Sequence, residues 1–300
     1  MPLVPVDPSA RLKKSITDGS IPTLIDLRSV AVVKGSRGPE PVYRALDLVD
    51  YKKAFGKSNK VLVKVNFIST KNWETGATTD PVVVEAIVNR LREIPVEVLI
   101  VESDATMTNA DKACVASGMK DMCDRVGVRF INLRHEKDRV ELRVPNAMTL
   151  DTITVPRIVT EAAIVSAAKL KTHMQTGVTL GMKNMFGLLP DKFKGKYHMR
   201  GMDKVIIDVN TVLRPALTVI DGFVGMEGKG PVNGDPVKMD TIIAGVDPVA
   251  TDATATRVMG IDPQTIEHIK WGHERRLGEM YDIEVVGDGI EAVKRIFSRM

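Results

Sequence analysis

The strongest constraint on the fold is an alternation: short β-branched runs separated by amphipathic stretches, two of which open on Asp-Pro. VLVKV at 61–65 and the run at 96–101 read as strands, the second apolar enough to be buried on both faces. Between them, residues 81–93 read as a helix with Asp80 as N-cap and Pro81 at its first position. Further strands are expected at 162–167, 217–220, 241–246 and 283–286, with an alternating edge strand at 140–144. Asp247-Pro248 repeats the cap and opens a helix running to Gly260, and a terminal helix is expected from Ile290. Strands interleaved with helices predict an α/β protein with a doubly wound, mostly parallel sheet, helices on both faces and two lobes around a cleft. The expected organisation is an N-terminal segment 1–58, a main domain 59–290 with a lobe boundary near 145–156, and a C-terminal helix end at 291–300.

In such sheets ligands sit beyond the carboxyl ends of the strands, and the unusual polar residues fall there. Lys64 and Asn66 close the first strand; Glu102, Ser103 and Asp104 close the second. AKLKTHMQTGVTLGMKN at 168–184 places Lys169, Lys171, His173 and Lys183 in what reads as a loop after a strand, with Gly177 and Gly181 letting backbone approach a ligand. Lysine offers a compact positive charge, or an amine whose pKa falls on burial. Histidine offers an acid, a base or a metal ligand. DKFKGKYHMR at 191–200 adds His198 and reads, on composition, as an exposed lysine-rich loop. If His198 turns towards His173, the pair can ligate a metal or share acid–base work.

DGFVGMEGKGPVNG at 221–234 reads as a glycine-rich loop able to aim backbone N–H groups at an anion, with Gly228 and Gly230 at its centre and Glu227 as its carboxylate. It matches neither GxxxxGK[ST] nor GxGxxG. Asp80 and Asp247 have a sufficient role as N-caps, while Asp252, one turn into its helix, is placed to face the same cleft. Glu102 and Asp104 suit a divalent cation, a base, or the plain polar end of a strand.

The chain carries 42 basic and 38 acidic residues, a net +4. Residues 169–204 alone carry +6, leaving −2 for the rest, and a local positive field of this kind fits a small anionic ligand or an acidic partner. Aromatics at 4% supply little for base stacking, so nucleic acid is not an expected partner. No run approaches the roughly 18 apolar residues of a membrane span, and residues 1–11 lack the basic stretch and apolar core of a secretory signal. The expectation is a cytoplasmic protein without a membrane partner. Cys114 and Cys123 cannot supply the four thiolates of a self-held iron–sulfur cluster and fit two ordinary thiols in a reducing compartment.

Several ordered blocks together resemble the domain-of-unknown-function 362 family: KVN at 64–66, TTDP at 78–81, VES at 101–103, KLKTH at 169–173, GMKNMFG at 181–187 and YH at 197–198. The series continues with DG at 221–222, EGKGP at 227–231 and Gly234, GVDPVA at 245–250 with Asp252 and Gly260, and LG at 277–278. Val65 stands where the family often shows proline, which leaves Lys64 and Asn66 usable. The resemblance implies a shared fold and a shared ligand site over about residues 60–287, without naming a reaction. Some members are labelled iron–sulfur proteins and carry a ferredoxin-type cluster segment, which implies a ferredoxin-like partner for this chain.

The expected function is an enzyme acting on a small anionic substrate through a Lys/His-rich cleft, by isomerase- or racemase-like, metal-assisted proton transfer. Its catalytic residues are Lys171, His173, His198 and Glu227. The ligand or cofactor is expected at Lys64, Asn66, Thr78, Thr79, Lys169, Lys183, Asn184, Gly228, Gly230, Asp247 and Asp252. A divalent metal is the candidate cofactor, with His173, His198 and Glu102 as its ligands. The alternative is a non-catalytic cofactor-binding or redox-partner module that docks an acidic, ferredoxin-like protein.

Overall fold

Val30, Val32, Leu62, Leu99, Ala168 and Ile243 belong to one apolar cluster, while their neighbours Ala31, Val33, Val61, Val63, Ile100, Ala167 and Ile242 belong to another. That two-residue alternation marks the two covered faces of one sheet. The structure, a computed structural model, describes residues 28–299 apart from residue 57. The absence of a signal at 1–11 concerns residues outside that range.

The sheet is built from β1 (Ser29–Lys34), β2 (Lys60–Lys64), β3 (Glu97–Glu102), β4 (Arg129–Asn132), β7 (Ala163–His173), β9 (Leu217–Glu227), β10 (Asp235–Gly245) and β11 (Glu284–Gly287). Its order is β11-β1-β10-β9-β7-β2-β3-β4, with the short β8 (Gly177–Val178) folded back on β7. The strands β4, β3, β2, β7 and β9 run parallel to one another, whereas β10 is antiparallel to both β9 and β1. The fold is therefore α/β with a mostly parallel central sheet. The helices α1 (Pro39–Leu48), α2 (Pro81–Leu91), α3 (Ala110–Ala116) and α4 (Met119–Val126) supply one cluster. After the short α5 (Arg157–Thr160), the helices α6 (Leu180–Asn184), α8 (Met202–Val212), α9 (Pro248–Val258) and α10 (Glu267–Glu274) supply the other; α7 (Gly195–His198) is a single surface turn.

Asp80 and Asp247 cap α2 and α9 as expected: Asp80 Oδ1 accepts from the Val82 N–H at 2.9 Å, and Asp247 Oδ1 from those of Val249 and Ala250 at 2.8 and 3.0 Å. Several expectations need correction. The strand expected at 140–144 is β5 (Arg139–Arg143), paired with β6 (Thr152–Pro156) in a separate two-stranded hairpin, so the lobe boundary at 145–156 falls inside a hairpin. Lys169, Lys171 and His173 lie on β7 itself, and the glycine-rich stretch begins as strand β9. β10 returns as a hairpin partner of β9 instead of a parallel strand. No helix follows Ile290; residues 291–299 hold a turn and irregular chain. Strand β1, in the expected N-terminal segment 1–58, lies between β10 and β11 and so belongs to the main sheet.

Candidate functional site

The chain winds from β2 outward to β3 and β4, then returns to β7 and β9 on the other side of β2. The reversal lies between β2 and β7, and loops leaving the carboxyl ends of these two strands diverge there and leave a crevice. A cavity of about 460 Å³ occupies that place. Its polar wall carries Lys64, Lys171, Lys183 and Lys194 against a single carboxylate, Glu102. Phe67, Ile68, Met107, Phe186 and Val232 supply apolar wall.

Lys64 ends β2 fully buried; its Nζ donates to Glu102 Oε2 at 2.8 Å, Asn184 Oδ1 at 3.0 Å and the Val65 carbonyl at 2.6 Å. Burial pulls its pKa down, against the opposing pull of Glu102. Asn184 Oδ1 also accepts from Asn66 Nδ2 at 3.0 Å, and Asn66 Oδ1 accepts from Lys171 Nζ at 2.7 Å. Lys171 Nζ donates further to the Ala77 carbonyl at 2.6 Å. Burial, then the neighbouring Lys169 and Lys183, hold Lys171 well below the ordinary lysine range. Lys64, Asn184, Asn66 and Lys171 thus form one connected chain across the switch point, in which each buried donor has an acceptor. Gly187 permits the approach: a Cβ there would lie 2.4 Å from Lys64 Nζ and 2.6 Å from Glu102 Oε1.

Lys183 and Asn184 are presented by α6. Its first N–H groups, those of Gly181 and Met182, each donate to one oxygen of the buried Asp252, both at 2.8 Å. Leu180 enters this helix at φ 46°, a left-handed conformation that leucine rarely adopts and that the surrounding packing must hold. Burial lowers Lys183 to about 8, Asp203 opposing it; Lys194, whose Nζ donates to Ser103 Oγ at 2.8 Å, falls to about 8 for the same first reason.

His173 and His198 do line one cavity. Gln175 joins them: its backbone N–H donates to His173 Nδ1 at 3.1 Å, and its side-chain oxygen pairs with His198 Nδ1. Because the Thr176 N–H also donates to His173 Nδ1, at 3.3 Å, that nitrogen is the acceptor and Nε2 carries the hydrogen. Burial, then Lys183 and Lys171, push His173 down to about 2, so it is neutral at physiological pH. It is a hydrogen-bond donor rather than a proton acceptor.

Other expectations are corrected by the geometry. Lys169 does not reach the cavity; it ends 2.6 Å from Asp221 Oδ2, both groups without exposure. Glu227 does not line the cavity; its oxygens accept from Arg295 at 3.1 Å and from the Ser298 N–H at 2.8 Å, tying down the last segment of the chain. Gly228 and Gly230 do not cradle an anion: their N–H groups donate to the Ser298 and Gly228 carbonyls. Thr78 and Thr79 lie beneath the site, Thr79 Oγ1 accepting from the Asn66 N–H and donating to the Ala167 carbonyl, both at 2.9 Å. Asp247 and Asp252 hold helix starts. The metal set expected from His173, His198 and Glu102 is not assembled, for among the described residues no three His, Cys, Asp or Glu side chains gather in a metal-holding group. Glu102 is already committed, through Lys64 and the N–H groups of Phe67 and Ser103.

The sequence marked Ser103 only as a strand end and did not mark Lys194 or Gln175 as site residues. The signal for Lys194 was faint, because DKFKGKYHMR has the composition of a solvated loop. Only the Lys194–Ser103 contact and the burial of that amine distinguish it from Lys192 and Lys196.

Among the described residues no helix is long and apolar enough to cross a membrane. No solved structure matches the chain. The thylakoid-associated protein sll1697 of Synechocystis sp. is 26% identical over 214 residues, covering 69% of this chain and 65% of that protein; the chain thus spans about two-thirds of its relative's length. The family model described as "Domain of unknown function (DUF362)" matches residues 61–257, which takes in β2 through most of α9 and every lysine of the cavity. The chain belongs to the DUF362 family.

Proposed function

We propose that the crevice between β2 and β7 is the active site of an enzyme that binds a small anionic substrate and moves a proton beside its carbonyl group. One observation carries this reading: four lysines and one carboxylate face a single cavity at the switch point of a parallel sheet. Lys194 attracts the anionic group. His173 donates Nε2–H to a carbonyl oxygen, polarising it without itself ionising. Lys183 takes or returns the proton, its lowered pKa placing both protonation states within reach near neutral pH. The two buried, free cysteines, both with thiols pushed up by burial, fit residence in the reducing cytoplasm.

Docking of an acidic, ferredoxin-like partner has fewer cations to draw on. Lys169, Lys171, Lys183 and Lys194, half of the basic residues in the 169–204 stretch, are buried. The reading is tested by titration calorimetry with inorganic phosphate and pyruvate. Binding is expected near pH 7 and should weaken as pH rises through about 8, because Lys183 and Lys194 lose their charge there. Lys194→Ala should weaken phosphate binding by about 1.5 kcal/mol, about tenfold. Proton magnetic resonance in heavy water should show exchange of the pyruvate methyl protons that Lys183→Ala removes. Failure of both anions to bind would overturn the assignment.

A further inference from the structure

Four amines face the cavity, and three of them are committed. Lys64 holds Glu102 and Asn184; Lys171 holds Asn66 and the Ala77 carbonyl; Lys194 holds Ser103. Lys183 differs. Its Nζ meets no acceptor and no carboxylate among the described residues, and the neighbouring Asp203 is turned to His268, 2.6 Å away. The Lys183 amine lies 5.8 Å from the Phe186 ring centroid, and that ring also has Lys194 Nζ at 5.2 Å. The residue is buried, and the helix that carries it is clasped at its start by Asp252. A buried ammonium with no carboxylate in contact, and with Asp203 acting only from a distance, is held less firmly than a paired one, so the free amine with its lone pair is within reach near pH 8.

We propose that Lys183 is a nucleophile that forms an imine with the carbonyl carbon of a small 2-oxo acid. The inference rests on the reading of an anionic carbonyl substrate and replaces the proton-carrying role of Lys183 with a covalent step. Lys194 supplies positive charge for the carboxylate and, as a neighbouring cation, helps lower the Lys183 amine towards its free form. The Nζ lone pair attacks the carbonyl carbon, forming a C–N bond, and the C=O π pair moves to oxygen, towards the His173 Nε2–H. The nitrogen gives up one proton and the oxygen takes one, leaving a neutral carbinolamine. A second proton from the Lys194 ammonium carries the hydroxyl off as water while the nitrogen pair closes the C=N bond, and Lys194 regains its proton from the nitrogen or solvent. Amine plus carbonyl gives imine plus water, with no change of oxidation state. The proton beside the former carbonyl is then acidified, which links this step to proton transfer. The pKa of Lys183 near 8 supports the idea, since the free amine is accessible without strong base.

The test uses glyoxylate, the smallest carboxylate that carries an aldehyde, so that size cannot exclude it. The intact protein is treated with glyoxylate and sodium borohydride near pH 8, and the reduced adducts are mapped by peptide mass spectrometry. Lys183 should be labelled at least several-fold faster than the exposed Lys192 and Lys196. Its labelling should rise with pH up to about 8, and inorganic phosphate should protect it. Lys183→Arg should lose the fast adduct, and the wild-type label ratio stands even if that variant folds poorly. Labelling of Lys183 no faster than Lys192, with phosphate still bound, overturns the imine and leaves the anion site standing. Absence of both phosphate binding and Lys183 labelling overturns both.

Discussion

Lys169 and Lys171 are two residues apart on one strand and do opposite work. Lys169 follows Val165 and Ala167 into the core on one side of the sheet and meets Asp221, while Lys171, beyond a register shift in the β7–β9 pairing, reaches the cavity. Burial raises the Asp221 pKa, against the opposing pull of Lys169 and of the Asp80 N–H that donates to it. Lys169→Met should leave that carboxylate buried and uncompensated, costing about 3–5 kcal/mol in denaturant unfolding. The double variant Lys169→Met/Asp221→Leu should recover much of the loss. Phosphate affinity of the folded fraction should stay unchanged in both, in contrast to Lys194→Ala. Gly187→Ala makes the complementary residue-scale prediction. A methyl 2.4 Å from Lys64 Nζ must displace the Lys64–Glu102 pair, so stability should fall by about 1–3 kcal/mol and phosphate binding should weaken with it. Neither glycine nor lysine identity announces these roles in a sequence, since both depend on what lies opposite.

At the scale of elements, α6 is five residues long and cannot be stable on propensity alone. Asp252 supplies the acceptors for its first N–H groups from α9, and burial raises the Asp252 pKa to about 7. An acid whose folded-state pKa lies above its unfolded value binds more protons when folded. Its favourable contribution is therefore complete below about pH 4 and is lost as pH rises through about 7. Unfolding free energy measured against pH should show that decline, and Asp252→Asn should flatten it. The same variant sets an amide N–H₂ against a backbone N–H, so it should cost about 1–3 kcal/mol and loosen Lys183. Helix starts with Asp-Pro were legible because the cap is local. The ends of β7 and β9 were not: lysine, histidine and glycine imitate a loop in one dimension, whereas in the fold neighbouring strands hold them extended.

At the scale of the molecule, β1 lies between β10 and β11 and Arg37, just before α1, pairs with Asp80 at 2.6 Å. A chain beginning at residue 59 should therefore expose the β10 edge and aggregate or fail to fold, whereas the full chain should remain monodisperse in size-exclusion chromatography. The parallel α/β class, both Asp-Pro helix starts, the strand cores and the family blocks were readable along the chain, because period, capping and motif order are properties of near neighbours. Placement of Lys64, Lys171 and Lys183 around one site was anticipated in part from their positions at strand ends. Convergence of His173 with His198, the burial of Lys194, and the withdrawal of Lys169, Glu227, Gly228 and Gly230 from the site were settled only by the tertiary structure. The physical reason is distance along the chain: whether a lysine stands free or paired depends on a carboxylate such as Glu102 or Asp221, 38 or 52 residues away, whose approach only the wound sheet decides.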